Sequence, residues 1–102
     1  MIMQKMHYLY ILTNSENEVL YVGITNNLIR RIWEHKHKVY DSFTAEYNID
    51  KLVYYQNLSV FTMNEARVKE ISAKKWSRGW KRKLINDFNP MWKDLYPNLR
   101  YF

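Results

Sequence analysis

The sequence predicts an α+β domain in which a small, largely antiparallel three-stranded sheet is flanked by helices in the order ββαβαα. Two patterns predict it: short segments rich in aromatic and β-branched residues are bounded by turn formers, and longer segments carry apolar residues at helical spacing. The chain has 102 residues, which is enough for one hydrophobic core. We therefore expect a single domain over residues 1–102.

A β-hairpin is predicted near the start of the chain. Residues 8–12 are aromatic and β-branched, residues 13–18 are turn formers, and residues 19–24 form a second strand-like run. Two such runs joined by a short polar turn favour adjacent antiparallel strands.

The next segment predicts a helix. Asn26 or Asn27 can cap its first turn, because a short polar side chain satisfies free backbone N–H groups there. The apolar residues Leu28, Ile32 and Val39 recur at spacings that place them on one side of a helix.

A third strand and a second helix are expected next. A polar loop over residues 41–48 leads to a strand over residues 51–55. Thr62 or Asn64 then caps a helix that runs to about Lys75.

A third helix is predicted over residues 80–88. Asn89 ends it, because the residue before a proline avoids the helical conformation. Two tryptophans lie near its start, and for Trp76 and Trp80 we favour packing in the core over stacking on nucleic-acid bases.

The charge of the chain is uneven. Sixteen Lys and Arg against ten Asp and Glu give a net charge of +6, and the isoelectric point is near 9.6. The first half of the chain is neutral, and residues 67–83 are the most basic stretch. Basic side chains attract phosphates, so nucleic acid is the first candidate partner. The alternative is that these lysines only solvate an exposed helix.

Composition excludes several other classes of protein. The chain has no cysteine, which removes disulfides, thiolate nucleophiles and cysteine-based metal sites. No apolar run reaches the roughly 18 to 20 residues of a membrane span, and the first six residues lack the apolar core of a secretory signal. We expect a cytoplasmic domain without a membrane partner.

Two polar residues lie on the apolar side of the first helix. Arg31 and His35 are four residues apart and share a face with Leu28 and Ile32. A buried charge needs an anionic or polar partner, which points to a binding role. The alternative is that Arg31 extends into solvent at the edge of the core.

One acid interrupts the basic stretch on the second helix. Glu70 shares a face with Ala66 and Ala73, so its carboxylate is expected to point inward. The alternative is a surface ion pair with Lys74, one helical turn later. Together with an arginine and a histidine, this carboxylate could hold a metal ion beside a phosphate.

Tyrosines mark one face of the predicted hairpin. Tyr8 and Tyr10 are two residues apart on the first strand, and Tyr21 is on the second. Gly23 falls at the end of the second strand, where glycine is typical of a bulge or of the close approach of another group, such as a ligand. The alternative is an aromatic cluster that only stabilises the sheet.

In combination, these residues resemble the GIY-YIG nuclease family. The chain has Tyr8-Leu9-Tyr10, then Tyr21-Val22-Gly23, then Arg31 eight residues after that glycine, His35 four residues later, and Glu70 on a later helix. The resemblance covers roughly residues 6–96. The chain resembles the small stand-alone bacterial members of the family, which are related to the N-terminal nuclease domain of the excision-repair endonuclease.

The family pattern also extends beyond the two triplets, with some departures. Residues 74–78 and 89–95 resemble the corresponding parts of the small bacterial members. The family's first glycine is Tyr8 here, its second isoleucine is Val22, and its usual Arg-Glu pair reads Lys69-Glu70.

The resemblance implies a phosphodiesterase that uses one divalent ion, Mg²⁺ or Mn²⁺. Glu70 would be the single protein ligand of the metal, and Arg31 would hold the scissile phosphate. Tyr10 and Tyr21 would position the attacking water, with Tyr10 the first candidate for general base, and His35 would bond a tyrosine or the phosphate.

The resemblance also implies residues that bind substrate. Gly23 would let the backbone approach the site, and Asn89, or failing that Asn86, would take the place of a late family asparagine. Tyr8 would contribute from the face of the first strand that it shares with Tyr10. The basic residues expected to bind substrate are Lys74, Lys75 and Arg78.

We therefore expect a metal-dependent endonuclease that cuts DNA, with a role in repair or recombination and with protein partners that supply specificity. RNA stays open as a substrate. The alternative is a noncatalytic nucleic-acid-binding module that retains the fold. A third possibility is a protein-interaction domain that uses an aromatic patch; its residues would be Trp92, Tyr96, Tyr101 and Phe102.

Overall fold

A computed structural model describes residues 7–99. The predicted order ββαβαα is confirmed, with one additional four-residue helix before the third strand and a 3₁₀ turn near the end. The elements are β1 Tyr8–Thr13, β2 Leu20–Thr25, α1 Leu28–Lys36, α2 Phe43–Glu46, β3 Lys51–Asn57, α3 Met63–Lys75, α4 Arg78–Phe88 and the 3₁₀ turn Tyr96–Asn98.

The sheet has the order β2-β1-β3, and both pairings are antiparallel. β1 is therefore the central strand, and all six of its residues are buried. In the hairpin register, Tyr10 lies opposite Gly23 and Leu12 opposite Tyr21. This register places Tyr8, Tyr10 and Tyr21 on one face of the sheet and makes Tyr10 and Tyr21 neighbours, with 6.4 Å between their ring centroids.

The two faces of the sheet pack against different helices. On one face, Tyr10 and Leu12 pack with Leu28 and Ile32 of α1. On the other face, Leu9 and Ile11 of β1 pack with two alanines of α3 and with Ile85 of α4, all of which are fully buried or nearly so. Period-two alternation along β1 produces this division, because successive side chains point to opposite faces.

Side-chain caps set the helix starts. Asn27 caps α1 by accepting a hydrogen bond from the backbone N–H of Arg30 at 3.1 Å. Thr62 caps α3 in a reciprocal capping box with Glu65. Ser77 caps α4, so that helix begins two residues earlier than the sequence predicts.

Two expectations for apolar residues are wrong. Val39 lies beyond the end of α1 and is largely exposed, because the helix ends at Lys36. Trp80 is 46% exposed, since it sits in the first turn of α4 about 140° around the helix from the buried Ile85. Trp76, by contrast, packs against the core as expected.

The predicted loop over residues 41–48 contains the helix α2. Ser42 caps it by accepting a hydrogen bond from the backbone N–H of Ala45 at 3.4 Å. A single capped turn has no apolar period, so periodicity could not reveal it.

Two of the four aromatic residues expected in a patch near the C-terminus, Trp92 and Tyr96, lie within residues 7–99. Trp92 is buried, its indole N–H donates to the Asn86 side chain at 2.6 Å, and the Arg82 guanidinium covers its ring at 4.7 Å. Tyr96 is half-buried beneath Lys36. The proposed interaction patch is therefore wrong for Trp92, whereas Tyr101 and Phe102 lie outside the described residues.

None of the helices between residues 7 and 99 is both long and apolar enough to cross a membrane.

Candidate active site

Helix α1 carries two of the predicted site residues to the tyrosine face of the sheet. Its buried Leu28 and Ile32 fix it there, and Arg31 and His35 lie on the adjoining side of the helix. The imidazole ring of His35 lies 5.8 Å, centroid to centroid, from the rings of both Tyr10 and Tyr21.

His35 is the centre of a hydrogen-bonded chain. Its Nε2 lies 3.1 Å from the Tyr10 hydroxyl, and its Nδ1 lies 3.0 Å from the Thr44 hydroxyl. The Thr44 hydroxyl in turn lies 3.0 Å from that of Ser42. Both ring nitrogens are therefore partnered, which holds the plane of the imidazole.

Burial and neighbouring charge determine the protonation of this chain. Burial lowers the pKa of His35, and the Arg31 guanidinium lowers it further. Burial raises the pKa of Tyr10 well above its ordinary value, and Tyr21 adds to this effect while Arg31 opposes it. At neutral pH we therefore assign a neutral imidazole that donates to Thr44 and accepts from the Tyr10 hydroxyl.

These pKa directions do not favour Tyr10 as the general base. Its hydroxyl also hydrogen-bonds the Arg31 side chain. With both a donor and an acceptor already present, Tyr10 is suited to orienting Arg31 and His35. The half-buried Tyr21 has its side chain on a cavity wall and is the better placed of the two to reach a water molecule.

Gly23 allows the close approach of a side chain of the protein itself, while its expected contact with substrate stays a prediction. A Cβ atom at residue 23 would lie 2.4 Å from both Cζ and the hydroxyl oxygen of Tyr10. The Tyr10 ring therefore lies over residue 23, which has no side chain. The role of Gly23 is to leave room for this ring.

Arg31 is anchored without being buried. Its Nε donates to the Glu34 carboxylate at 3.2 Å, and its side chain keeps 40% of its surface exposed. The sequence left two alternatives for Arg31, a polar partner and extension into solvent. Both therefore apply in part. An anchored guanidinium with free N–H groups can bind a phosphate in a fixed orientation.

Glu70 reaches the site from the opposite layer of the fold. Helix α3 buries Ala66 and Ala73 against the sheet, and Glu70 lies between them beside the edge strand β2. The Glu70 side chain is 21% exposed, and its carboxylate lies 3.5 Å from the Lys74 ammonium group. The inward orientation and the i,i+4 ion pair, which the sequence left as alternatives, thus occur together.

Two cavities meet at Arg31. One, of about 310 Å³, lies between α1 and α2 and includes Tyr21 and His35 in its wall. The other, of about 340 Å³, lies between β2 and α3 and includes Glu70 and His7. Arg31 lines both, so one side chain borders the space beside Glu70 and the space beside Tyr21 and His35.

Three lining residues were missed by sequence reasoning. His7 has a buried Nδ1 that is the one fully buried side-chain polar atom without a hydrogen-bond partner among residues 7–99. Arg67 adds a second guanidinium to the Glu70 cavity. Thr44 was hidden in the unrecognised helix α2. The cap residue Ser42 is the only sequence signal that could have pointed to it.

The donor set suits a hard cation that keeps its waters. Within residues 7–99, no group of three or more His, Asp or Glu side chains could hold a metal. Glu70 is a half-buried carboxylate on an open cavity, and Mg²⁺ needs no more than one or two carboxylates when it retains water and binds phosphate. The residues present therefore fit one divalent ion of this kind.

Several of the predicted substrate-binding residues have structural contacts. The Arg78 guanidinium donates to the backbone carbonyl of Glu18 in the β1–β2 turn. Lys74 pairs with Glu70, whereas Lys75 is exposed at the end of α3. Tyr8 is buried on the tyrosine face, edge-on to Tyr55.

Asn89 is a structural residue, and its expected place at the site is corrected. Its side-chain N–H group donates to the Val53 carbonyl at 3.2 Å and to the Lys93 carbonyl at 2.8 Å, and its Oδ1 accepts from the Lys93 N–H at 3.2 Å. These bonds fasten the segment after α4 to β3. Asn89 lines neither of the two cavities, and the alternative Asn86 holds Trp92.

Comparison with known proteins identifies the family of this chain. The family model described as the GIY-YIG catalytic domain matches residues 6–84. A UPF0213 protein of Clostridium perfringens is 37% identical over 81 residues, which cover 79% of this chain and 84% of that protein. No solved structure matches the chain significantly. The chain therefore belongs to the GIY-YIG family of nuclease domains.

Proposed function

We propose that this protein is a divalent-metal-dependent endonuclease that hydrolyses phosphodiester bonds in DNA. One observation carries the proposal: Arg31 lines both the cavity that contains Glu70 and the cavity that contains Tyr21 and His35. A phosphate bound by this guanidinium would have the carboxylate on one side and the hydroxyl of Tyr21 on the other.

Arg31 binds the scissile phosphate. Its guanidinium is held by Glu34 and Tyr10, so little conformational freedom remains to be lost when a phosphate binds. Negative charge grows on the phosphate oxygens during water attack, and a positioned guanidinium stabilises that charge.

Glu70 holds the divalent ion. The bound ion would supply positive charge opposite the phosphate and the leaving oxygen. The ion pair with Lys74 spans one helical turn and its lysine is exposed, so the pair is weak and a divalent cation can displace it.

Tyr21 orients the attacking water, and the Tyr10–His35–Thr44 chain supports the site from behind. Tyr10 and His35 act as positioning residues because their polar atoms are already partnered within the protein. The neutral His35 leaves Arg31 without a competing cation next to it.

Part of the basic stretch would hold the DNA backbone on either side of the scissile bond. Arg67 and Lys75 are exposed on α3, the same helix as Glu70. Arg78 and Arg82 are engaged with the carbonyls of the β1–β2 turn, so they contribute less to this surface. Expected settings for such an activity are DNA repair and recombination, in the cytoplasm, with partner proteins supplying specificity.

The decisive experiment is a cleavage assay with Mg²⁺ or Mn²⁺ on single-stranded, double-stranded and branched DNA, and on a matched RNA strand. Glu70→Gln should lower the rate at least about a hundredfold, since metal charge stabilises the transition state by several kcal/mol. The exposed Glu18→Gln is a matched control and should cut like the wild type. Mn²⁺ titration followed by electron paramagnetic resonance should show weaker binding to Glu70→Gln alone.

The outcomes separate this function from its alternatives. Cleavage of the RNA strand alone would make the enzyme a ribonuclease. Undiminished cleavage by Glu70→Gln would refute the assigned site. Salt-sensitive DNA binding without cleavage, weakened by Lys75→Ala, would identify a noncatalytic nucleic-acid-binding module.

A further inference from the structure

The cavity between α1 and α2 extends beyond the proposed reaction centre. Two exposed aromatic side chains line it, Tyr40 in the segment before α2 and Phe43 in the first turn of that helix. Tyr40 is 62% exposed and Phe43 is 53% exposed. The Phe43 ring also contacts the Tyr47 ring, with 4.8 Å between the ring centroids, and both Tyr40 and Phe43 keep open surface beside the cavity.

Polar residues line the same cavity. They include Arg31, Tyr21, Ser42 and Thr44. A cavity lined by two exposed aromatic rings and a few polar groups is typical of a site for a flat, polar, aromatic ligand. Its volume of about 310 Å³ is at the lower end of the range for small-molecule sites.

Arg31 limits the class of ligand that can occupy this cavity. In the proposed function, its guanidinium holds the scissile phosphate, so a group that contacts Tyr40 and Phe43 in the same cavity lies near that phosphate. On a nucleic-acid strand, the group adjacent to a phosphate is a nucleoside. The positive net charge of the chain favours the same polyanionic ligand.

We propose that Tyr40 and Phe43 stack an unpaired base of the DNA strand next to the scissile phosphate. This inference rests on the proposed function and narrows it, because a base can enter the cavity only if it is single-stranded, at a junction or turned out of the helix. The enzyme then prefers single-stranded or branched DNA over continuous duplex. Stacking tolerates any base, since every base has an aromatic face.

The molecule contains a control for this proposal. Trp33 is also an exposed aromatic residue, and it belongs to the same helix as Arg31. However, it does not line the cavity, and its ring stacks on His37 at 4.1 Å. Any general contribution of surface aromatic residues to DNA binding should therefore be shared by Trp33, whereas stacking in the cavity should not.

The test uses the full chain without divalent metal, so that DNA is bound but not cut. Single-stranded oligonucleotides carry the fluorescent base 2-aminopurine at one position each, and a second set carries abasic sites that keep the phosphates and lack the bases. The wild type should quench 2-aminopurine by stacking. The double variant Tyr40→Ala, Phe43→Ala should not quench it, and it should bind normal strands about fivefold to a hundredfold more weakly.

Three further results are expected. The double variant should bind abasic strands as tightly as the wild type does. Trp33→Ala should quench and bind like the wild type, and Tyr40→Phe should keep the quenching because it keeps the ring. Thermal unfolding should show that all variants are folded, since the substituted side chains are exposed.

The two proposals can fail separately. Unquenched 2-aminopurine in a wild type that cleaves DNA, or equal losses by the double variant on normal and abasic strands, would overturn the base site and leave the nuclease standing. Quenching that depends on Tyr40 and Phe43, in a protein that cuts no DNA, would uphold the base site and refute the endonuclease.

Discussion

The two faces of the sheet contain different kinds of contact. On the α1 face, the residues around Tyr10 form a chain of hydrogen bonds through His35 to Thr44. On the α3 and α4 face, Leu9, Ile11 and Ile85 pack in a core of apolar side chains. The central strand β1 is shared by both, so one strand supports a polar network on one side and an apolar core on the other.

In the proposed function, this difference assigns most of the chemistry to the α1 face and most of the stability to the other face, with Glu70 of α3 as the exception. Apolar burial gains free energy from packing and needs no particular angle between groups. A network around a reacting phosphate depends on the orientation of every donor and acceptor. Substitutions on the apolar face should therefore lower stability first, and substitutions on the polar face should lower activity first.

The largest change in stability is expected from Ile85→Ala. Ile85 is completely buried between α4 and the sheet, so truncation should lower the free energy of unfolding by about 2 to 5 kcal/mol. Urea denaturation measures this loss. Cleavage per folded molecule should stay unchanged. The control Ile71→Ala, at an exposed position of α3, should change stability by less than about 0.5 kcal/mol. Equal effects of the two substitutions would contradict the assignment of the core.

A smaller loss of stability, but a clear loss of activity, is expected from Gly23→Ala. The added Cβ would overlap the Tyr10 ring, so the ring must move and disturb its bonds to His35 and Arg31. We expect a loss of about 1 to 3 kcal/mol in unfolding free energy and about a hundredfold loss in cleavage rate.

Gly79→Ala is the matched control for that variant. Gly79 lies in α4 and a Cβ there meets no atom within 4 Å. Alanine should stabilise the helix by up to about 1 kcal/mol and leave the cleavage rate unchanged. If both glycine variants cut DNA like the wild type, the placement of Tyr10 has no role in catalysis.

The smallest effect is a pH dependence of stability that arises from His35. Its pKa in the folded protein is below the ordinary value of 6.5, because burial and Arg31 disfavour the charged ring. As the pH falls through 6.5, the unfolded chain binds a proton that the folded chain does not, so stability decreases. The decrease levels off below the pKa of the folded state.

Urea denaturation from pH 7.5 to 4.5 should show that the free energy of unfolding of His35→Gln depends less on pH than that of the wild type. Each unit by which folding lowers the pKa of His35 contributes about 1 kcal/mol to this difference. The exposed His37→Gln should behave like the wild type over the same range. Parallel curves for His35→Gln and the wild type would contradict the buried, neutral imidazole.

Local signals in the sequence were sufficient for most of the secondary structure. The start of α3 followed from its Thr62 cap, and the end of α4 followed from the proline after Asn89. Where the local signal was a single cap residue, as at Ser42, the helix was missed. Where an apolar spacing continued past a helix end, as at Val39, the expected burial was wrong.

The candidate site was harder to foresee, because charge in a sequence does not say what a charge touches. Lys75 and Arg78 belong to one basic stretch, yet Lys75 is exposed while Arg78 is bonded to the β1–β2 turn. Asn89 was expected at the site and instead fastens the C-terminal segment to β3. The partners in both cases are distant in the chain.

The sequence alone determined the order of the elements, the shared face of Tyr8 and Tyr10 on the first strand, and the helix positions of Arg31, His35 and Glu70, because strand and helix periodicity are local properties. Only the tertiary structure decided that Arg31 lines one cavity with Glu70 and another with Tyr21, that Gly23 makes room for Tyr10, and that Thr44 completes the hydrogen bonds of His35. Each of these depends on the distance between segments that are remote in the chain. Packing sets that distance, and no local pattern encodes it.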